Sequence, residues 1–275
     1  MSINSTPQVV SIAGSDSGGG AGLQADLKTF QNRTVFGMTI VVALTAQNTL
    51  GVQGSYPIPT AFVEEQFKSL AADFKIGAAK TGMLFDKEHV KCVVDNLKAV
   101  DFGPLVVDPV MIAKGGHTLL DTDAIDLIKT DLLPIAYVVT PNIPETEVLV
   151  GYPLTNDLEI MQAAQDIQSL GVKNVIIKGG HLLESQSRDY ILLESGERYW
   201  LVSERLETVK THGTGDTFSA CIAAELAKGQ SIKEAILTGK QFIQGAISNA
   251  IDVGHGHGPT NHWAELEETI SVIEE

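Results

Sequence analysis

Short apolar runs alternate with stretches whose apolar residues recur every three or four positions, and the alternation continues along most of the chain. Residues 9–13 have the length and β-branched content of a buried strand. A glycine-rich turn at 14–22 follows, and then Leu23, Leu27 and Phe30 fall on one face of a helix. Residues 38–44 and 78–81 read as further strands, separated by a helix that opens at Pro59-Thr60 and carries Phe62, Phe67 and Leu70. Val90, Val93, Val94 and Leu97 have helical spacing. Residues 105–107 form a strand ending at Asp108-Pro109, residues 124–133 a helix stopped by Pro134, and residues 137–140 a strand ending at Pro141-Asn142. Helices at 145–150 and 158–170 are closed by Gly151 and Gly171, and a strand at 175–178 runs into Gly179-Gly180. The runs 190–193 and 199–202 flank Ser195-Gly196 as a hairpin. A helix at 217–227 closes before Gly229, one or two more lie in 232–251, and the acidic segment from Trp263 onward is expected to be the last.

Buried strands alternating with helices predict an α/β fold with a mostly parallel sheet covered on both faces. In such a sheet the functional groups gather at the carboxyl ends of the strands. Asp16, Asp108, Asn142 and Lys178 stand at those ends. No repeat, low-complexity stretch or linker interrupts the 275 residues, so residues 1–275 are expected to form one domain.

The formal net charge is −15, which works against nucleic acid as a partner. A nucleotide would have to be held locally, by helix N-termini, a few cations and metal ions. Cys92 and Cys221 belong to no Cys-x-x-Cys pair and read as buried apolar thiols, as in a reducing cytosol. Residues 1–8 lack the basic and apolar regions of a signal peptide, and no apolar stretch is long enough to cross a bilayer, so a cytoplasmic location is expected.

The richest segment is Thr211-His212-Gly213-Thr214-Gly215-Asp216-Thr217-Phe218-Ser219. Its two glycines let successive N–H groups converge, and the helix that follows adds positive partial charge, which makes an anion hole. Asp216 at the helix start could take a proton from a hydroxyl. Positioning, charge neutralisation and an aligned nucleophile are what phosphoryl transfer needs. The plainer reading is an N-capping Asp after a Gly turn. Asn142 and Glu145, three residues apart after a strand, are oxygen donors suited to Mg²⁺, with Asp108 as a second acidic partner. The plainer readings are a helix-start Glu and a turn Asp before proline. Lys178 could neutralise a phosphate, or be a solvated surface lysine. The loop from Gly14 to Gly22 fits G-x-G-x-x-A at Gly20, Gly22 and Ala25, but no acid for a ribose lies between Asp26 and Glu64. A loop that brings a substrate ring against the backbone suits it better, with Asp16 and Asp26 as polar groups to hold that substrate. Gly-His-Gly-His-Gly at 254–258 has the wrong spacing for a zinc pair and reads as a loop near a nucleotide. The P-loop pattern is absent.

Together these segments resemble the ribokinase-like superfamily, and within it the hydroxymethylpyrimidine/phosphomethylpyrimidine kinases of thiamine biosynthesis and the related bacterial pyridoxal kinases. The similarity runs from about residue 9 to 262. It is carried by Ala13-Gly14-Ser15-Asp16, Ala46-Gln47-Asn48-Thr49, Lys80-Thr81-Gly82-Met83-Leu84, Val107-Asp108-Pro109-Val110-Met111, the Thr140 to Glu145 segment, Lys178-Gly179-Gly180-His181 and the His212 to Ser219 loop. The resemblance implies a three-layer sandwich, a homodimer, ATP as co-substrate, and Mg²⁺ with K⁺ as an open addition. It implies Asp216 as the catalytic base and Gly213, Thr214 and Gly215 as the anion hole. Asp108 and Glu145 would organise the metal; Lys178, Asn142 and Thr211 would contact ATP. Asp16, Gly14, Asp26, Gln47 and Met83 would line the substrate pocket, where the Gln47 amide would pair with an aminopyrimidine edge. Much of the family carries cysteine at the position of Asp216; ribokinase itself and the larger pyridoxal kinases carry Asp. Ala113 before Lys114, and Gln47, resemble the thiamine enzymes. The leading expectation is a kinase acting on the hydroxymethyl group of hydroxymethylpyrimidine or its monophosphate. Pyridoxal or pyridoxine kinase is the close alternative; a nicotinamide oxidoreductase or a non-catalytic nucleotide sensor fits less well. A glycine-containing lid near residues 113–120 is also expected.

Overall fold

The computed structural model describes residues 5–111, 120–179 and 186–275. The chain enters through β1 (Gln8–Gly14), every residue of which is buried. Such a strand belongs in the middle of a sheet covered on both faces. The helix α1 (Gly22–Asn32) leads to β2 (Phe36–Asn48), and β3 (Gly51–Pro57) folds back against it. Then come α2 (Thr60–Ala71), β4 (Ala78–Thr81), α3 (Lys87–Ala99), β5 (Leu105–Val107) and α4 (Thr122–Leu127). The chain continues through β6 (Val138–Val139), α5 (Ile143–Val150), α6 (Asp157–Gln168) and β7 (Asn174–Lys178). It ends with β8 (Gln186–Leu192), β9 (Arg198–Glu204), α7 (Thr214–Ala227), α8 (Ile232–Ser248) and β10 (Ser271–Glu274).

Among the described residues ten strands form one sheet in the order β10-β9-β8-β7-β6-β5-β4-β1-β2-β3. The pairs from β2 through β1, β4, β5 and β6 to β7 are parallel, and the strands beyond them at both edges are antiparallel. Side chains along a strand alternate between faces. Val10, Ala79, Val107, Val139 and Val175 therefore join one core with α2, α3 and α6. Their neighbours Val9, Ala78, Val106, Val138 and Ile176 join a second core with α7 and α8. Helices, sheet and helices make the three layers expected of the ribokinase-like sandwich. Among the described residues no helix is long and apolar enough to cross a membrane.

Helix boundaries follow local chemistry. Asn142 caps α5 and Ser231 caps α8, each with the reciprocal glutamate of a capping box, Glu145 and Glu234. Gly151 closes α5 at φ +82°. The structure departs from the expected elements in three places. The expected helix at 124–133 is α-helical only to Leu127; a wider turn spans Ile128–Leu132 and a tighter one Leu133–Ile135. The pattern contains no signal for β3, which has no buried face and so no alternation to read. The acidic segment after Trp263 is not helical: Trp263 is 80% exposed, and the segment ends in β10, which pairs with the edge strand β9. Charge density there resembles a solvated helix, but backbone pairing to an open sheet edge prevails.

β1 lies between β2 and β4; α1 packs against β1 and β2 on one face, and α2 packs against β2 on the other. This switch of faces opens a crevice at the carboxyl ends of β1 and β4, where open α/β sheets bind ligands.

Candidate active site

Gly213 precedes α7 at φ +80°, a conformation that favours glycine. A Cβ there would fall 1.9 Å from the carbonyl oxygen of Gly20, so the two glycine-rich loops touch through backbone alone. Thr214 Oγ1 donates to Thr211 O at 2.7 Å, and Thr217 Oγ1 donates to Gly213 O at 2.8 Å, which fixes the first turn. The first N–H groups of a helix have no intrahelical acceptor and favour an anion. Gly213→Ala should cost more than about 2 kcal/mol of stability through strain and the clash with Gly20, and should abolish turnover. Denaturant midpoints alongside an activity assay check both effects.

Asp216 sits in the first turn of α7, with 15% of its side chain exposed. Lys80, fully buried in β4, places Nζ 3.0 Å from Asp216 Oδ1 and 2.8 and 3.0 Å from the two oxygens of Asp26. Asp26 comes from α1, is itself fully buried, and also accepts the Ser11 hydroxyl. One ammonium thus serves two acids. Burial pushes Asp26 up, Lys80 opposes the rise and Asp216 adds to it, leaving its carboxyl raised to about 7. Burial would raise Asp216 too, but the charge and hydrogen bond of Lys80, the Gly22 N–H and Lys178 hold it below the ordinary carboxylate range. The acid facing the crevice is therefore the ionised one. Gly82 forms the wall beside it; a Cβ there would lie 3.2 Å from Lys80 Nζ and 3.8 Å from Asp216 Oδ1.

A second charged group lies at the carboxyl ends of β5 to β7. Lys178 Nζ is 3.0 Å from Asp108 Oδ1. Thr140 and Ser219 donate their hydroxyls to Asp108 at 3.3 Å each. A Cβ on Gly215 would lie 3.2 Å from both Asp108 Oδ2 and Lys178 Nζ, so α7 begins against this pair. Glu145 accepts the Asn142 N–H at 2.9 Å, and the Asn142 side chain accepts the Glu145 N–H at 2.9 Å. Burial raises the Glu145 carboxyl to about 7 against the pull of Lys178. Two buried carboxyl groups lie around one ammonium, and a cation bound there would favour the ionised form of Glu145. That donor set fits a Mg²⁺ held mainly by phosphates and water, not a closed protein cage; no group of three or more ligating side chains occurs among the described residues.

The glycine-rich loop after β1 folds around Asp16. Its carboxylate accepts the N–H groups of Gly18, Gly20 and Ala21 at 2.8, 3.0 and 2.9 Å. His212 Nε2 approaches Asp16 Oδ2 to 2.9 Å, and the Gln47 amide nitrogen stands 3.3 Å from the same ring nitrogen. Met83 lies across Gly14, where a Cβ would meet its methyl carbon at 2.4 Å. The expectation for Asp16 and Asp26 was direct contact with a substrate. Both carboxylates instead turn inward, Asp16 to its own loop and Asp26 to Lys80. Of these three acids Asp216 is the most exposed, with 15% of its side chain open against 5% for Asp16 and none for Asp26.

His262 lies behind the α7 turn, with Nε2 3.0 Å from Thr217 Oγ1. Burial, assisted by Lys28 and opposed by Asp216, lowers it to about 4. A histidine held neutral in the fold contributes stability that is complete above its ordinary value of 6.5 and is lost as pH falls from there toward 4. The loss is about 3 kcal/mol. His262→Gln should flatten that part of a plot of melting temperature against pH.

Lys80 and His212 lie in the quoted motifs, but their roles in the site were not foreseen. For Lys80 the available signal is a lysine inside a run whose other residues are all buried; a buried charge requires a partner. The 254–258 loop seats on the β2–β3 turn: the N–H groups of His255 and Gly256 donate to Thr49 Oγ1 at 3.2 and 3.1 Å. A surface depression lined by Gln186, Ser203 and Thr269 contains none of the site residues named above. The expected lid residues 113–119, with Ala113 and Lys114, and the pair Gly180-His181, lie outside the described residues.

A family model described as phosphomethylpyrimidine kinase matches residues 16–261. Over 265 residues, 95% of this chain and 98% of the relative, the sequence is 54% identical to the hydroxymethylpyrimidine/phosphomethylpyrimidine kinase of Haemophilus influenzae. The structure of the pyridoxal kinase from Staphylococcus aureus in complex with AMP-PCP and pyridoxal superposes with a TM-score of 0.88 at 34% identity, covering 98% of this chain and 100% of that one. Phosphomethylpyrimidine kinase from Clostridium difficile 630 superposes with a TM-score of 0.78 at 38% identity, covering 87% and 99%. With the charged crevice at the start of α7, these likenesses place the chain in the phosphomethylpyrimidine kinase family.

Proposed function

We propose that the protein is an ATP-dependent kinase in thiamine biosynthesis or salvage that phosphorylates the hydroxymethyl group of hydroxymethylpyrimidine, the phosphate of its monophosphate, or both. The observation that carries the reading is Asp216: a crevice-facing carboxylate at a helix N-terminus, kept ionised by Lys80. The match to the Haemophilus influenzae kinase and the AMP-PCP held by the Staphylococcus aureus structure support the substrate and the nucleotide.

Asp216 takes the proton of the substrate hydroxyl as its oxygen forms a bond to the γ-phosphorus. The bond from that phosphorus to the bridging oxygen breaks, and ADP leaves with the electron pair. The N–H groups around Gly213, Thr214 and Gly215 receive the charge on the moving phosphoryl group, and Lys178 neutralises the adjoining phosphates. Thr211 and Asn142 line the nucleotide side. Asp108 and Glu145 would hold Mg²⁺, which supplies charge neutralisation between the phosphates. Gln47, Met83 and Gly14 flank the substrate ring, and Asp16 and Asp26 shape that pocket through the loop and Lys80. The homodimer belongs to the same reading; the exposed apolar side chains of Leu50, Val52 and Tyr56 on the β2–β3 hairpin support it, and sedimentation checks it.

The likeness to a pyridoxal-bound kinase favours a second reading, pyridoxal as acceptor. ATP consumption with hydroxymethylpyrimidine, its monophosphate and pyridoxal in parallel, with Mg²⁺ or EDTA, separates them. Faster turnover on the pyrimidines supports thiamine chemistry; turnover on pyridoxal alone replaces it with vitamin B6 salvage.

A further inference from the structure

Three polar groups from separate segments meet at one nitrogen. His212 Nε2 stands 2.9 Å from Asp16 Oδ2 and 3.3 Å from the Gln47 amide nitrogen. Asp16 is an acceptor throughout, taking three backbone N–H groups as well. Burial pushes its carboxyl up, yet the bonds from His212, Gly18 and Ala21 hold it below the ordinary range. An ionised carboxylate offers only lone pairs, so Nε2 must carry a hydrogen, whether the ring is neutral or protonated. A donor at Nε2 cannot also accept from the amide of Gln47. An amide turned end for end keeps its shape, and the turned form brings Gln47 Oε1 onto the Nε2–H.

The histidine has little freedom to accommodate Gln47. Its N–H donates to Gly258 O at 3.1 Å and its carbonyl accepts the Thr260 N–H at 3.2 Å. Its ring edge closes over Gly20, where a Cβ would lie 2.7 Å from Cδ2. The Gln47 backbone is fixed as well: Ser17 Oγ accepts its N–H at 2.8 Å and donates to its carbonyl at 2.9 Å. Only the amide direction is left to be set.

We propose that His212 is the positioning residue for ring recognition: its one Nε2–H, donated to Asp16 Oδ2 and shared as a bifurcated bond with one lone pair of Gln47 Oε1, turns the amide so that the other lone pair, with the amide N–H beside it, faces the substrate. The inference rests on the kinase reading above. An acceptor next to a donor matches a ring nitrogen next to an amino group, as an aminopyrimidine provides. A pyridine with no amino group can use only half of that edge. His212 thus acts on the choice between acceptor alcohols and not on phosphoryl transfer itself.

Two measurements test this. In the free protein, ¹⁵N–¹H correlation of the His212 ring should find hydrogen on Nε2; hydrogen on Nδ1 alone overturns the proposal. In kinetics, His212→Leu should raise KM for hydroxymethylpyrimidine about tenfold, the worth of one hydrogen bond. KM for ATP should stay unchanged, and the ratio of kcat/KM for hydroxymethylpyrimidine to that for pyridoxal should fall by the same factor. His212→Gln, whose amide N–H can replace Nε2–H, should restore most of that ratio. Equal losses on both alcohols, or no restoration by Gln, overturn the proposal. A wild-type protein inactive on both alcohols removes the kinase reading and leaves the ring hydrogen to decide.

Discussion

Asp216→Asn should lower kcat by about three orders of magnitude, the usual worth of a positioned general base, while ATP binding stays within a few-fold of the original. The amide has the size of the carboxylate, and its oxygen can still accept from Lys80, 3.0 Å away in the parent protein. The turn that starts α7 depends on Gly213, Thr214 and Thr217, none of which contacts the substituted atom through a hydrogen bond described above. What is lost is the capacity to take a proton. Turnover assays paired with calorimetric ATP titration separate the two properties. Unchanged turnover would remove Asp216 from the chemistry and leave it as a charge partner of Lys80.

Lys80→Met should be the most damaging single change to the fold. Asp26 is fully buried and its cation would be gone, a situation that costs about 3–5 kcal/mol. The sign with pH is distinctive. The Asp26 carboxyl already lies at about 7 in the fold, above its ordinary 3.8. A carboxyl raised on folding binds its proton more tightly in the folded state, so stability falls as pH rises between those values. Without Lys80 that slope should steepen, and Lys80→Met should melt closest to wild type at acid pH. Adding Asp26→Asn removes the stranded charge and should recover most of the stability, since the two residues are in contact and their effects will not add. Turnover should not return, because Asp216 would still lack the cation that keeps it ionised. A double variant as unstable as the single one would show that Lys80 acts through packing.

Where one stretch of chain supplies both the pattern and its cause, the sequence could be read directly. β1, β5 and β7 are short apolar runs because both of their faces are covered, and the cap of α5 is written in Asn142 and Glu145. The anion-binding turn at Gly213 to Asp216 is equally local: a glycine in a left-handed conformation, then a helix start, then an acid. β3 and β10 escape such reading because their residues are mostly or wholly exposed and only backbone pairing holds them. The same divide runs through the site. That Asp216 stands at a helix N-terminus follows from its neighbours in sequence, whereas its pairing with Lys80 spans 136 positions and with Asp26 passes through that lysine. Asp16 was visible as a polar residue in a glycine loop, but the three N–H groups that claim its carboxylate depend on how the loop curls back.

The lysine between two acids also bears on what can occupy the second of them. Burial leaves the Asp26 carboxyl raised to about 7, so it balances Lys80 only in part, and the socket at position 216 favours an anion whichever side chain fills it. A thiol placed beside such an ammonium would be drawn toward its thiolate, as a carboxyl is drawn toward its carboxylate. A cysteine, which the resemblance implies for much of the family at the position of Asp216, and the aspartate found here would then serve one ammonium, with Lys80 common to both.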